Sequence, residues 1–360
     1  MSSRRSGRSR LAVIFGGRSA EHEVSVLSAR GVMREADEER FEVIPFGITR
    51  RGAWLTPQET RLRLARVESG ETRSLGDDEG GGVLAYPQTL AALAKVDVVF
   101  PIVHGTFGED GTLQGLLELA DMPYIGAGVA ASGVGMDKEL MRAVFARAEL
   151  PQPRYAVLRD AETHAPPEET AHRIEREVGY PCFVKPANGG SSIGISKAHS
   201  REDLGPAVAT AARHDRKVLV EEAIEGREVE CAVLGNADPR PSTLGEIRPH
   251  AEFYTYEAKY LDDGADLIVP AEVSVATAAR VQAYALRAFR AIDCAGLARV
   301  DFFVTDDDKP TVIEINTLPG FTPISMYPRL WEEEGLTYGD LITQLVELAF
   351  ERHREARARG

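Results

Sequence analysis

Residues 299–325 read R-V-D-F-F-V-T-D-D-D-K-P-T-V-I-E-I-N-T-L-P-G-F-T-P-I-S, from Arg299 to Ser325. Two apolar, β-rich runs flank an Asp/Lys/Pro turn, which predicts a β-hairpin. Side chains alternate between the faces of a strand, so Arg299, Asp301 and Phe303 are expected to share one face. In the second run Val312, Glu314 and Asn316 would share a face, leaving Val300, Phe302, Val304, Ile313 and Ile315 on the buried side. Pairing the two polar faces sets Asp301 beside Glu314 and Asn316. Three oxygen ligands of one hardness on a rigid hairpin suit Mg2+ held jointly with phosphate oxygens. The alternative is a half-solvated hairpin with ordinary surface carboxylates. Thr317-Leu318-Pro319-Gly320-Phe321 then forms a sharp turn whose glycine exposes a backbone N–H beside the carboxylates.

The chain has 360 residues, enough for two or three domains with ample core. An apolar fraction of 43% and a charged fraction of 27% describe an ordinary globular protein. A net charge of −14 argues against a nucleic acid or an anionic membrane as partner, so a phosphorylated ligand would need a purpose-built basic pocket. The three cysteines lack metal-ligand spacing and read as core thiols in a reducing cytosol. The basic start M-S-S-R-R-S-G-R-S-R precedes an apolar run, Leu11 to Phe15, too short for a signal peptide or a membrane span. Residues 1–10 are expected to be a disordered tail.

Leu11–Phe15, a glycine turn and a helix through Glu23, Val26 and Arg30 open a parallel α/β domain, with Ser19 placed to cap the helix. Phe41–Ile48 and Val96–Val103 are further strands, while residues 49 to about 88 carry little pattern. The second of these strands ends in His104-Gly105-Thr-Phe-Gly108-Glu-Asp-Gly111, at the edge where open α/β sheets place ligands. Lys138 falls in the first turn of a helix, against the dipole preference, where it could meet an anion. A short strand delivers Lys185 to Ala187-Asn-Gly-Gly-Ser-Ser-Ile-Gly194, whose small residues can turn backbone N–H groups and hydroxyls toward phosphate. Val218–Ile224 and Gly226–Leu234 are strands carrying Glu221, Glu222, Glu228 and Glu230, the last readable as one more exposed strand residue. Residues from about 249 to 270 form a long Tyr-rich stretch with the features of an ordered lid.

Seven motifs in order resemble the D-alanine–D-alanine ligases of the ATP-grasp superfamily. They are G-G-R-S-A-E-H-E-V-S (16–25), H-G-T-F-G-E-D-G (104–111), M-D-K (136–138), V-K-P-A-N-G-G-S-S-I-G (184–194), Y-E-A-K-Y (256–260), R-V-D (299–301) and E-I-N-T-L-P-G-F-T (314–322). The resemblance implies an α/β, three-domain ATP-grasp ligase: a parallel α/β domain over 11–127, a central subdomain over 128–222 and a C-terminal one over 223–360. It implies ligation of two D-alanines through a D-alanyl phosphate, with D-lactate or D-serine ligases of the same fold, or a non-catalytic ATP-grasp binding module, as rivals. It also implies ATP as co-substrate, two Mg2+ ions replaceable by Mn2+, a monovalent cation, and a cytoplasmic homodimer with no nucleic acid or membrane partner.

Position by position, Lys138 and Lys185 resemble the ATP-phosphate lysines, with Gly190, Ser191 and Ser192 in the phosphate loop. Glu221, with Glu222, Ala223 and Ile224, resembles the adenine hinge, although some relatives have lysine at Glu222. Glu228 resembles the ribose carboxylate, and Lys259 would reach the γ-phosphate. Asp301, Glu314 and Asn316 resemble the metal ligands, and Arg299 and the Gly320 N–H the oxyanion donors. Glu21 looks like the acceptor of the first D-alanine's ammonium, with His104 near its carboxylate and Ser325 and Met326 at the second D-alanine's carboxylate. Ser191 and Tyr260 would complete a hydrogen-bonded triad with Glu21. Ester-forming relatives carry Phe at the Tyr260 position, so this tyrosine implies dipeptide synthesis.

Overall fold

Leu11–Phe15 is buried to the last residue, as a parallel strand covered on both faces must be. In the computed structural model, which describes residues 7–159, 161–164, 168–250 and 264–359, this run is the centre of a three-stranded parallel sheet. Strand β1 (Ser9–Gly16) lies between β2 (Phe41–Ile48) and β3 (Val98–Ile102). The strand begins earlier than the expected tail allowed, because Ser9 and Arg10 pair with Phe41 and Glu42. Helices α1 (His22–Glu35), α2 (Pro57–Glu68), α3 (Pro87–Leu93) and α4 (Thr112–Leu119) accompany the sheet. Ser19 does not cap α1: Glu21 is the N-cap residue, and the Ser19 hydroxyl instead donates to the His104 carbonyl at 2.6 Å. In the weakly patterned stretch after residue 49, Thr56 and Glu59 close a capping box that starts α2.

Helices α5 (Val129–Met136) and α6 (Lys138–Arg147) lead to a four-stranded antiparallel sheet in the order β4-β7-β5-β6. Its strands are β4 (Tyr155–Arg159), β5 (Cys182–Pro186), β6 (Ser196–Ala198) and β7 (Lys217–Glu222). Helices α7 (Ala161–His164), α8 (Glu168–Glu177) and α9 (Arg201–Ala211) belong to this part of the chain. A five-stranded antiparallel sheet follows, in the order β10-β9-β8-β11-β12. Its strands are β8 (Arg227–Gly235), β9 (Arg240–Pro249), β10 (Ala265–Ile268), β11 (Gly296–Val304) and β12 (Pro310–Asn316). Helices α10 (Val275–Ala291), α11 (Met326–Glu333) and α12 (Tyr338–Arg359) complete the fold.

The β11–β12 hairpin forms, with one change to its expected faces. The register shifts between Asp301 and Phe302, so Asp301 still opposes Glu314 but Phe302 opposes Val312. Ile313 is the extra residue of a β-bulge, and a bulge breaks strict alternation. Val312 therefore points into the core with Ile315, and Ile313 does not. The ends of the Tyr-rich stretch are also strand rather than loop, since β10 pairs with β9 from Ala265↔Pro249 to Ile268↔Glu246. Tyr254, Tyr256, Lys259 and Tyr260 lie outside the described residues. Cys182, Cys231 and Cys294 are buried free thiols. Among the described residues no helix is long and apolar enough to cross a membrane.

One core joins the parallel sheet to the five-stranded sheet. Phe321, fully buried, sets its ring 5.2 Å from Phe100 of β3, 5.9 Å from Tyr327 and 5.2 Å from Tyr338. The residue after Gly320 is thus an anchor, and it fixes where that glycine's N–H points. Phe321→Ala removes a ring from this junction and is expected to cost about 3–5 kcal/mol. Urea unfolding should show that loss, and a change below about 1 kcal/mol would mean the junction repacks freely.

Candidate active site

A cleft of about 1530 Å3 runs between the sheets, lined among others by Glu21, His104, Ser191, Arg299, Glu314 and Ser325. Glu21 enters from the start of α1, and only 8% of it is exposed. Two glycines allow it to sit there. A Cβ on Gly105 would stand 2.7 Å from Glu21 Oε2, and one on Gly190 would stand 3.0 Å from it. Ser191, held at φ 50° in the left-handed region, donates its hydroxyl to Glu21 Oε1. Ser192 follows at φ 59°. Two members of the expected Glu21–Ser191–Tyr260 triad are therefore joined by a hydrogen bond, and Tyr260 lies outside the described residues.

His104 follows β3 and is buried, with Nε2 3.1 Å from Ser28 Oγ and Nδ1 3.3 Å from Glu109 Oε1. Burial works against a charged imidazole, but the Glu109 hydrogen bond and the charges of Glu109 and Glu21 outweigh it, so its pKa is raised.

Arg299 and Asp301 stand on the same face of β11. Arg299 Nε and Nη2 donate to the two Asp301 oxygens at 2.7 and 2.8 Å, a bidentate pair. Glu230 of β8, 1% exposed, places Oε2 3.0 Å from the same Nε. The reading of Glu230 as an exposed strand residue is thus corrected: β8 is an interior strand, and this carboxylate is buried against the guanidinium. Asn316 Nδ2 donates to Asp301 Oδ2 at 2.9 Å, which leaves the amide oxygen as its acceptor. Two carboxylates and an amide oxygen fit a hard divalent cation. Among the described residues, no three His, Cys, Asp or Glu side chains come together to hold an ion unaided. The remaining ligands would then come from phosphate oxygens and water, as Mg2+ prefers.

The lysines converge on the other side of Glu314. Lys138, 8% exposed at the start of α6, donates to the Gly189 carbonyl at 2.7 Å. Burial lowers its pKa, the Glu314 charge opposes this, and the Lys185 charge adds to it. Lys185 on β5 pairs with Glu221 Oε2. Glu221 is 2% exposed and its other oxygen accepts from Arg142 Nη2. Burial disfavours its charge, but Arg142 and Lys185 bring its pKa down to about 2. Three cations, two of them buried, here meet Glu221 and Glu314, a surplus that an anion would balance. The Glu221 side chain therefore serves here as a counter-ion to Arg142 and Lys185. Glu222 receives Arg154 Nε at 2.6 Å, and the Ala223 N–H donates to Pro181 O. Ile224 follows half-buried, and Glu228 is half-buried on the face of β8 that carries Glu230.

At the turn, a Cβ on Gly320 would meet Ser325 Oγ at 3.1 Å. That hydroxyl contacts Thr322 Oγ1 at 2.7 Å, and Ser325 is the N-cap residue of α11. The Met326 side chain is buried, a Cβ on Gly245 coming 2.3 Å from its sulfur, so its contribution to the cleft is main chain. Sequence reasoning missed Glu109, Ser28 and Arg142. Glu109 stood inside the quoted motif 104–111, and Arg142 lies four residues after Lys138 and so on the same helical face.

Two antiparallel sheets closing on buried lysines and a carboxylate hairpin make this an ATP-grasp ligase. Residues 10–127 match the family model described as D-ala D-ala ligase N-terminus, and residues 144–347 match D-ala D-ala ligase C-terminus. The chain belongs to the D-ala D-ala ligase family. It is 50% identical over 370 residues to the D-alanine–D-alanine ligase of Mycobacterium bovis, covering 97% of each chain. To that of Bacillus velezensis it is 47% identical over 349 residues, covering 95% of this chain and 98% of the relative. The solved D-alanine–D-alanine ligase of Coxiella burnetii superposes with a TM-score of 0.82 at 35% identity, over 98% of this chain and 97% of that one. The VanG D-Ala:D-Ser ligase of Enterococcus faecalis does so at 0.78 and 32%, over 95% and 99%.

The His104 arrangement gives a pH test. A pKa raised above its ordinary 6.5 contributes stability that is fully present below that value and is lost as pH rises through the folded value. Glu109→Gln should move the His104 titration downward, followed by NMR, and should weaken that acid-side stabilisation. An unmoved titration would show that Glu109 does not hold the charge.

Proposed function

We propose that this chain joins two D-alanines into D-alanyl-D-alanine, forming ADP and phosphate and supplying a peptidoglycan precursor. The observation that carries this reading is one cleft in which Glu21 and His104 of the parallel domain face Arg299 and Gly320 beside Glu314 and Asn316. A carboxylate is a poor electrophile, so an oxygen of the first D-alanine attacks the γ-phosphorus of ATP. The bond to the β-phosphate oxygen breaks and ADP leaves. Lys138, Lys185 and the loop of Gly190, Ser191 and Ser192 hold the phosphates, preorganised before the charge develops. Glu21 receives the first ammonium and His104 stands near the first carboxylate. The second D-alanine sets its carboxylate at Ser325 and the Met326 N–H, where the start of α11 favours an anion. Its neutral amine attacks the acyl carbon, and the oxygen that takes up the electrons meets Arg299 and the Gly320 N–H. The bond to phosphate then breaks and the amine loses a proton.

Asp301, Glu314 and Asn316 would hold Mg2+, two ions with Mn2+ as a substitute, and the metal would neutralise phosphate charge. Glu228 would take the ribose, and the main chain from Glu221 through Ala223 and Ile224 the adenine, with Glu222 held by Arg154. Lys259 would reach the γ-phosphate, and Tyr260 would bind Ser191 and Glu21. A homodimer in the cytoplasm, with a monovalent cation, completes the reading.

The test supplies ATP and Mg2+ with D-alanine, D-serine or D-lactate, measures ADP and identifies the product by mass. D-Alanyl-D-alanine is expected, and ADP without a ligated product would overturn the reading. Lys185→Ala should abolish ADP formation, since one preorganised charge at a transferring phosphoryl contributes roughly 3 kcal/mol or more. Glu314→Gln should raise the Mg2+ requirement, measured as a titration of rate against metal. Asp306→Asn, in the exposed hairpin turn, should leave that titration in place. The reverse pattern would place the metal elsewhere.

A further inference from the structure

We propose that Arg142 is a positioning residue for ATP turnover: one guanidinium fixes the carboxylate that holds Lys185 and ties it to the strand that carries Glu314. The inference rests on the reading of Lys185 as a phosphate-binding lysine. Arg142 is 1% exposed, one helical turn beyond Lys138 on α6. Its Nη2 donates to Glu221 Oε1, and its Nη1 donates to the Val312 carbonyl at 2.9 Å. The other Glu221 oxygen holds the ammonium of Lys185, whose side chain is 12% exposed.

The cores of the two antiparallel sheets meet at this side chain. Helix α6 packs through Met141 and Phe145 into the core of the five-stranded sheet. Glu221 and Lys185 belong to the four-stranded sheet, whose core runs over residues 156–220. Val312 lies on β12, an edge strand, directly before the bulge residue Ile313 and two residues before Glu314. As an edge residue it needs partners outside the ladder. Its N–H donates to Pro151 O at 2.9 Å and its carbonyl accepts from Arg142. The guanidinium therefore sets the distance between the phosphate lysine and the metal strand.

A purely structural account is weaker. Buried charge sets can often be replaced by apolar groups at no cost in stability, so stability alone does not call for this one. Without Arg142, Lys185 would remain as a closed pair with Glu221, neutralised and drawn away from an incoming phosphate. The two-pronged contact also needs a planar fork, and an ammonium supplies a single point of donors.

The experiment compares the native chain with Arg142→Lys, Lys185→Ala and Glu221→Gln, each checked by thermal melting. ADP affinity is measured by calorimetry, and kcat and KM are measured separately for ATP and D-alanine. Arg142→Lys is expected to keep the fold, lower kcat about 10-fold or more and raise KM for ATP, with KM for D-alanine unchanged. Its effect should not add to that of Glu221→Gln in the double variant, since both act through one carboxylate. A kcat/KM for ATP within about twofold of native in Arg142→Lys, with or without a lower melting temperature, would overturn the proposal. Normal ADP affinity and turnover in Lys185→Ala would instead remove the reading on which it rests. Should Arg142→Lys fail to fold, Arg142→Gln with the same measurements decides between these outcomes.

Discussion

Charge that leaves water must find a partner, and in this chain those partners come from the same strand, from neighbouring strands and from a helix. Glu221 is almost fully buried, and it is balanced by Arg142 from a helix and Lys185 from a neighbouring strand. Arg299 is balanced by Asp301 on its own strand and Glu230 on the next. Removing one partner from such a set typically costs about 3–5 kcal/mol, because an uncompensated charge remains. That penalty makes the arrangement unique. A register slip of one residue in β11 would turn Arg299 and Asp301 into the apolar core and bring Val300 and Phe302 out. The ion pairs and the hydrophobic core thus select the same register.

The same rule bears on what the cleft would take. Lys138 and Lys185 sit with Arg142 against two carboxylates, and the pKa of Lys138 is lowered by burial with Lys185 adding to the effect. A phosphate oxygen entering there meets donors already desolvated and held by packing, and little reorganisation remains to be done when charge moves. Around Arg299 the sign is reversed, with Asp301 and Glu230 exceeding the one guanidinium. A divalent cation suits that side as an anion suits the other.

Much of this arrangement is legible in the amino-acid sequence. Alternation along 299–304 places Arg299 and Asp301 correctly, since a half-buried strand leaves a period of two in the residues. The same rule fails at Val312 and Ile313, because a bulge adds a residue without leaving a compositional mark. Strand β9 escapes such a reading because Pro241, Gly245 and Pro249 interrupt it, although its backbone pairs on both sides. The capping box at Thr56 and Glu59 is present in the sequence but sits outside any apolar periodicity that would draw attention to it. Glu230 reads as a strand-surface residue until the strand order puts it in the middle of a sheet. Its partner Arg299 is distant in the chain, and no local pattern encodes that contact.

The way the three sheets are joined divides the site into two kinds of construction. The parallel sheet and the five-stranded sheet share one apolar core, with Phe100, Phe321 and Tyr327 among its members. Glu21, His104, Arg299 and Gly320 are therefore set relative to one another by packing, which transmits position stiffly. The four-stranded sheet has a core of its own. It meets the others through polar contacts, among them Ser191 with Glu21, Lys138 with Gly189 and Glu221 with Arg142. Interfaces built from such contacts are the ones at which domains move. Glu21, His104, Arg299 and Gly320 are thus held by packing, while the loop of Gly190, Ser191 and Ser192 meets them through hydrogen bonds.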